Sequence, residues 1–421
     1  LETVLLTDFL RLLTLADLHY DPLYLNNASA EANECRKDAG ALPAPAGRIG
    51  CDSPIDLIDK AINNTAEYGP YDFVLTTGDF PAHSLVTKYP NYNDRNLSNL
   101  ATKYVTSKIK STYPNTTIIG VIGNNEGDNN YNYTTTKNSE RLRELYYDCN
   151  YRDVVNNNEK FLEYGYYAQE TEHNLTIIAL NWNFYSPRDQ PQVKDQEDPA
   201  DQFKFLDTEL QKANNTQKQV IILYHGPFGV NGYNSQANTV DKYTQYYENI
   251  VVKYQDIIIC DLIGHFHQDQ FRYRLDGRRA YTPGFLLPSI SASNGNNPGF
   301  RITELRRENG KWVLSDYTQY YLDLNLANYN VSKGLDFNFK FQYKFSEFYA
   351  LYVDNSKKAQ PNVKNIQYLN DQMRIDDELY ALWITTSNLW YSPNMAENMC
   401  AIDANTVTDY QLCVQEYKYD Q

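Results

Sequence analysis

The stretch Ile257–Gln270, IIICDLIGHFHQDQ, decides the fold. Ile257, Ile258, Ile259, Leu262 and Ile263 make an apolar run of strand character that stops at Gly264, after which His265 and His267 flank a single residue. In extended chain, residues i and i+2 project to the same side, so the two imidazoles are expected to converge just past a strand end. Open α/β sheets keep their ligands at that edge. The pair taken alone is equally compatible with a surface loop, and the remaining histidines must decide.

Outward from this stretch the same arrangement recurs. LLTLA (12–16) predicts a short strand ending at Asp17-Leu18-His19, and YDFVLTT (71–77) predicts another that runs into Gly78-Asp79 and on to His83. TIIGVI (117–122) leads into Gly123-Asn124-Asn125-Glu126, and QVIILY (219–224) ends at His225. Five predicted strand ends therefore carry Asp17, His19, Asp79, Asn124, His225, His265 and His267, all oxygen or imidazole ligands for zinc, manganese or iron. Asp and Asn also cap turns, and a lone His is usually structural, but neither habit explains the joint placement. Seven ligands exceed the needs of one tetrahedral ion and suit two ions sharing a carboxylate, an arrangement used for displacement at phosphorus.

Between these strands the pattern predicts helices: one opened by Pro54 with Ile55, Ile58 and Ile62 at helical spacing and Gly69 as its stop, then 97–111, 201–213 and 240–253. Residues 161–168 and 175–180 read as strands, and 271–273, 301–305 and 312–317 as antiparallel strands. Strands alternating with helices, then a run of strands, predict an α/β chain built as a mixed β-sandwich flanked by helices. It spans residues 11–326, and the Tyr/Phe-rich, then helical, region 327–421 is expected as a C-terminal extension packed on this catalytic domain. The loop from Pro22 to Pro54 is too long for a simple connection and is expected to fold as a flap.

Composition narrows the function classes. With 42% hydrophobic and 22% charged residues the chain is of globular type, and no apolar run reaches the 18 residues a membrane span needs. TVLLTDFLRLL (3–13) is interrupted by Asp8 and Arg11, so it is neither a span nor a signal peptide, and a processed leader is expected to be missing from the chain. A net charge of -15 with no basic block argues against DNA or RNA binding, and a monomer is expected. The six cysteines form no CxxC pair; Cys35 with Cys51 and Cys400 with Cys413 bracket loops and read as disulfide staples, while Cys149 and Cys260 have no evident partner. Glycosylation sequons start at Asn27, Asn63, Asn96, Asn115, Asn132, Asn174, Asn214 and Asn330, which with the cysteine spacing favours a secreted protein or one of the lysosomal or endosomal lumen.

Taken in chain order, DxH at Asp17–His19, GD at Gly78-Asp79, GN at Gly123-Asn124, His225 and GHxH at Gly264–His267 resemble the calcineurin-like metallophosphoesterases. Within them the chain is similar to the acid sphingomyelinase and acid sphingomyelinase-like phosphodiesterase branch, on GDFPAH (78–83), CDSP (51–54), LNWNFY (180–185), LPSIS (287–291), NPGFR (297–301) and YYLDL (320–324). The resemblance runs from about residue 11 to the C-terminus. It implies a four-layer α/β/β/α fold and two Zn2+, with Mn2+ or Fe as alternatives. One ion would be held by Asp17, His19 and His267, the other by Asn124, His225 and His265, with Asp79 bridging. A hydroxide held between the ions would attack phosphorus in line, and His83 would be the general acid, a role worth about two to four orders of magnitude in rate.

One position departs from the family pattern, which usually has His where this chain has Asn125. Asn125 can donate a hydrogen bond but cannot supply a proton. Two expectations follow. The first is a dinuclear-zinc phosphodiesterase acting on a small phosphodiester or phosphoanhydride, such as a nucleotide derivative, CDP-choline or a sphingomyelin-like headgroup. The alternative is a catalytically impaired homologue that still binds metals and phosphate esters. A purple acid phosphatase is disfavoured, since its iron-binding tyrosine would be expected where Phe80, Pro81 and Ala82 stand. With no saposin-like module ahead of the first strand, soluble substrates are favoured, and Phe228 with the 35–51 flap is the expected rim for any peripheral lipid contact.

Overall fold

The structure is a computed structural model and describes residues 8–31, 34–85, 94–128, 130–188, 193, 195–232, 234–353, 359–388 and 395–419. The first residues of the N-terminal apolar stretch, 3–7, lie outside the described residues. Two six-stranded mixed sheets form the centre. The first has β1 (Phe9–Leu15), β2 (Phe73–Thr76) and β3 (Thr117–Gly120) side by side and parallel, extended on the other flank of β1 by antiparallel β12 (Gly299–Glu308), β13 (Lys311–Tyr321) and β14 (Lys340–Lys344). The second runs β10 (Gln270–Asp276), β11 (Arg279–Leu286), β9 (Ile258–Ile263), β6 (Gln219–Tyr224), β5 (Leu175–Ala179), β4 (Tyr167–Glu170), with β11, β9, β6 and β5 parallel. A two-stranded ribbon, β7 (Val230–Asn231) with β8 (Gln236–Ala237), stands apart from both.

Central strands are buried along nearly their whole length, as parallel strands covered on both faces must be: FVLT of β2 and IICDLI of β9 contain no exposed residue. The sheets meet face to face. Phe285 of β11 packs edge-on to Tyr317 of β13 with ring centroids 5.7 Å apart, and the Tyr167 hydroxyl of β4 donates to the Gly120 carbonyl of β3. Arg301 of β12 reaches across to donate to Asp269, just beyond His267, and lies 4.1 Å from the Tyr317 ring centroid. Outside the sandwich, helix Ile55–Glu67 packs on Asp94–Thr112, and Gln202–Asn215 packs on β5 and β6. Helices Val363–Met373 and Met395–Asp403 lie on β10 and β11. The layering is the expected α/β/β/α sandwich with a helical C-terminal region.

Several local expectations change. Pro54 does precede the helix Ile55–Glu67, but its apolar face is Leu57, Ile58, Ala61 and Ile62, and Ile55 is 42% exposed. Residues 161–168 are not one strand: Phe161–Tyr164 is a helical turn closed by Gly165 at φ +82°, and only then does β4 begin. Phe161 stacks against Tyr146 and Tyr151, so aromatic content that reads as strand propensity serves packing instead. Strand β11 was not among the predicted strands; its ladder with β10 is irregular between Arg272 and Arg274, opposite Pro283 and Gly284. Phe228 is not a rim residue. It is 7% exposed and stacks on Tyr247, ring centroids 4.0 Å apart, whereas Leu42 of the flap is 85% exposed.

Both predicted disulfides are present, Cys35–Cys51 and Cys400–Cys413, with Cα atoms 5.9 and 5.8 Å apart, and Cys149 and Cys260 are buried free thiols. The second disulfide ties helix Met395–Asp403 to Val407–Tyr419. This pair braces the β7–β8 ribbon: Val230 is buried among Cys400, Ala401, Ala404 and Tyr410, and the Ser235 and Tyr410 hydroxyls lie 3.0 Å apart.

Candidate metal centre

Because β1, β2, β3, β6 and β9 run parallel within their sheets, their C-terminal ends gather at one edge of the sandwich, and the seven candidate ligands project there from both sheets. The chain does not present them in extended conformation. Asp17, His19, Asp79, His265 and His267 have φ of 48°, 43°, 54°, 75° and 62°, a left-handed backbone that non-glycine residues adopt at a cost. Immediately before His265, Gly264 is required: a Cβ there would lie 2.7 Å from Asp17 Oδ2. The expectation that His265 and His267 converge on one point is therefore corrected. With both residues left-handed, the imidazoles turn apart, His267 Nε2 to 3.1 Å from His19 Nε2 and His265 Nδ1 to 3.2 Å from His225 Nε2.

The distances divide the seven side chains into two groups. In the first, His267 Nε2 lies 3.5 Å and His19 Nε2 3.8 Å from Asp17 Oδ1. In the second, His225 Nε2 is 2.9 Å from Asn124 Oδ1 and 3.2 Å from His265 Nδ1. Asp79 stands between them, its Oδ2 3.5 Å from His19 Nε2 and 3.2 Å from His225 Nε2. Subsets of these residues, Asp17 with His19 and Asp79, and Asp79 with His225 and His265, bring their ligand atoms within 4.8 Å of one another.

Hydrogen bonds to the far side of each ring aim the near side inward. Carbonyls only accept, so His19 Nδ1 donates to Pro81 and His225 Nδ1 to Thr77, at 3.2 and 2.7 Å, which leaves both Nε2 lone pairs facing the centre. The Asn124 amide donates to Asn130 Oδ1 at 2.6 Å and so turns its own oxygen inward. Asp17 accepts the His265 amide at 2.9 Å. Electrostatics fit a cation. Burial lowers His19 and His225, but Asp17, Asp52 and Asp79 around the first and Asp79 and Asp17 around the second raise them to about 9. Burial and the His225 charge push His265 down to about 3, and burial lowers His267. Ring nitrogens this close cannot all carry protons, and the set of four imidazoles, two carboxylates and one amide oxygen matches divalent transition-metal chemistry.

His83 lies beside the first group, its ring stacked on His19 with centroids 4.1 Å apart. Its Nδ1 donates to Asp52 at 3.0 Å and its backbone amide to Asp52 Oδ2 at 2.7 Å, leaving Nε2 as the free nitrogen. Burial raises Asp52, and the His83 and His19 charges together pull it well below the ordinary carboxylate value. Ser291 donates to the same carboxylate at 2.9 Å, and Arg36 of the flap donates to the His83 carbonyl at 2.7 Å. Asn125 is oriented differently from a cleft-facing donor: its backbone and side-chain NH groups donate to Asp79 Oδ1 and Oδ2, at 2.8 and 2.7 Å. Glu126 supports the same turn by accepting amides of Phe80 and Gly123, at 2.7 and 2.8 Å.

Sequence reasoning missed three residues here. Asp52 lies in CDSP, and only its carboxylate opposite His83 shows its role. Trp182 of LNWNFY packs 5.2 Å from the His265 ring, with its indole NH donating to Thr239. Tyr131 places its hydroxyl 3.4 Å from His265 Nε2, and no local motif marks it. Of the sequon asparagines, Asn27, Asn63, Asn96, Asn115, Asn174 and Asn214 are exposed, while Asn132 and Asn330 are half-buried.

The chain is 27% identical to the bovine sphingomyelin phosphodiesterase over 339 residues, covering 76% of this chain and 52% of that protein. It therefore spans about half the length of that relative. It is 28% identical to the bovine cyclic GMP-AMP phosphodiesterase SMPDL3A over 353 residues, 80% of this chain and 75% of that protein. A solved structure, the calcineurin-like phosphoesterase YfkN from Bacillus subtilis, superposes with a TM-score of 0.38 at 11% identity, over 75% of this chain and 91% of that one. The calcineurin-like phosphoesterase family profile matches residues 10–269, a span that holds all seven side chains of the centre, and the chain belongs to that family.

Proposed function

We propose that the chain is a two-metal phosphodiesterase acting on small phosphate esters, with zinc as the resident ion and Mn2+ or Fe as alternatives. The observation that carries this reading is the division of seven ligand atoms into two sets that share Asp79. Asp17, His19 and His267 would hold one ion and Asn124, His225 and His265 the other, with Asp79 available to both. When bound, the ions supply a hydroxide nucleophile near neutral or acidic pH and neutralise phosphate charge. In its doubly protonated form His83 gives the leaving oxygen its proton from Nε2, while the Asp52 carboxylate accepts Nδ1–H and orients the ring. The relatives named for sphingomyelin and cyclic GMP-AMP support a phosphodiester as substrate. Two disulfides and six exposed sequon asparagines support a secreted or lysosomal setting, and among the described residues no helix is long and apolar enough to cross a membrane.

The test is metal analysis of the purified protein together with hydrolysis of bis(p-nitrophenyl) phosphate. About two ions per chain and loss of turnover in His265→Ala are expected; absence of bound metal, or full activity in that variant, overturns the reading. A second reading rests on Asn125, whose amide is committed to Asp79 and leaves His83 as the one proton donor of the pair. The protein would then bind phosphate esters while turning them over slowly.

A further inference from the structure

Asp52 is held from two sides. His83 Nδ1 donates to it at 3.0 Å, and the fully buried Ser291 hydroxyl donates to its Oδ1 at 2.9 Å. The segment that carries Ser291 is pinned by its backbone: Ile290 and Ser291 donate their amides to the Ala16 and Asp17 carbonyls at 3.1 and 3.0 Å, and the Asn296 side-chain amide donates to the Ser291 carbonyl at 2.9 Å. Its hydroxyl therefore sits at a fixed place. Ser291 Oγ accepts the Ser293 backbone amide at 3.2 Å and stands 3.1 Å from Ser293 Oγ, and Ser293 Oγ stands 3.3 Å from His267 Nδ1.

The direction of these contacts follows from the proton count. A hydroxyl has one proton to give and a carboxylate only accepts, so the Ser291 proton goes to Asp52, and the proton between the two serines is that of Ser293. Ser293 Oγ is then the acceptor toward His267, whose Nε2 faces the metal centre and whose Nδ1 therefore carries the hydrogen. The donations run one way, from His267 through Ser293 and Ser291 to Asp52, where His83 meets them from the other end.

We propose that Ser291 and Ser293 are positioning residues of the hydrolysis, a hydroxyl bridge that ties the orientation of His83, through Asp52, to His267 at the metal centre. The inference rests on the phosphodiesterase reading above, with His83 as proton donor, and adds to it two side chains that act through others. Hydrogen bonds polarised in one direction strengthen one another, so the hydrogen that His267 gives to Ser293 is felt at Asp52 and at the ring Asp52 orients.

The experiment is heteronuclear NMR of the zinc-loaded full chain with isotope-labelled histidine, for wild type, Ser291→Ala, Ser293→Ala and the double variant, with kcat and KM for bis(p-nitrophenyl) phosphate measured alongside. Ser291→Ala alters neither imidazole, yet it is expected to shift the Nδ1–H resonances of both His83 and His267; a shift at only one of them, or at neither, overturns the bridge. Ser293, half-buried on the cleft wall, gives a second break in the same chain, and an unmoved His83 in Ser293→Ala overturns it too. Each single variant should lose about tenfold in kcat with KM within about twofold of wild type, and the double variant should be no slower than the slower single, because a chain broken once transmits nothing more. Unchanged kcat, or losses that multiply, overturns the positioning role. Full turnover in His83→Ala counts against the proton-donor reading instead, and the two histidine shifts then judge the bridge.

Discussion

His83 and Asn125 border the same centre with unlike chemistry: one ring has a free nitrogen toward the cleft, and one amide is spent on Asp79. Two predictions belong at this scale. Replacing Asp52 by Asn removes the carboxylate that holds His83 Nδ1–H, and kcat for a nitrophenyl diester should fall by about one to two orders of magnitude while bound metal stays at the wild-type level; unchanged kcat would show that the pair does not act in turnover. Asn125→His restores a titratable group and should raise kcat measurably on the same substrate; an unchanged rate would show that Asn125 does not limit the site. The seven candidate ligands stood out in the sequence because each follows a short apolar run of strand character and they recur together at five such ends. Asp52 and Tyr131 did not, since their partners His83 and His265 are 31 and 134 positions away in the chain. The backbone was hidden as well. Left-handed φ at five of the seven residues cannot be read from non-glycine letters, so the reason His265 and His267 separate came only from the fold.

At the level of elements, each sheet supplies an incomplete half of the centre. Asp17, His19, Asp79 and Asn124 come from the ends of β1, β2 and β3, while His225, His265 and His267 come from β6 and β9. Bound ions would therefore cross-link the sheets, and stripping them with a chelator should lower Tm by on the order of 5 °C, recovered on adding zinc; calorimetric scans of apo and reloaded protein test this. Arg301 and Asp269 form a second link between the sheets, fully buried and joined by the Tyr343 hydroxyl. Arg301→Met would strand the Asp269 carboxylate without its cation and should destabilise the protein by about 3 kcal/mol or more, read from urea unfolding. NPGFR signalled family resemblance but not this function, because the contact closes only when the sandwich is assembled. Helices and central strands were readable from periodicity, whereas β14, with an exposed KFQYK edge, and β11, with its Pro283-Gly284, carry no buried alternation to announce them.

For the whole molecule, burial raises Glu248 to about 7 from an ordinary 4.5, aided by Asp409 and opposed by Arg274. A carboxyl that holds its proton more tightly when folded favours the native state at low pH, and that advantage is lost as pH rises from about 4.5 through 7. Glu248→Gln should therefore be more stable than wild type at pH 8, by about 2 kcal/mol, and equal to it at pH 4; urea midpoints at the two pH values decide. The ribbon of β7 and β8 has a wider consequence. It contributes Asn231 and Gln236 to the cleft wall, yet it belongs to neither sheet and rests on the disulfide-tied helices of the C-terminus. Floor and wall thus have separate foundations, so a change in the ribbon can reshape the cleft without moving the ion-binding floor.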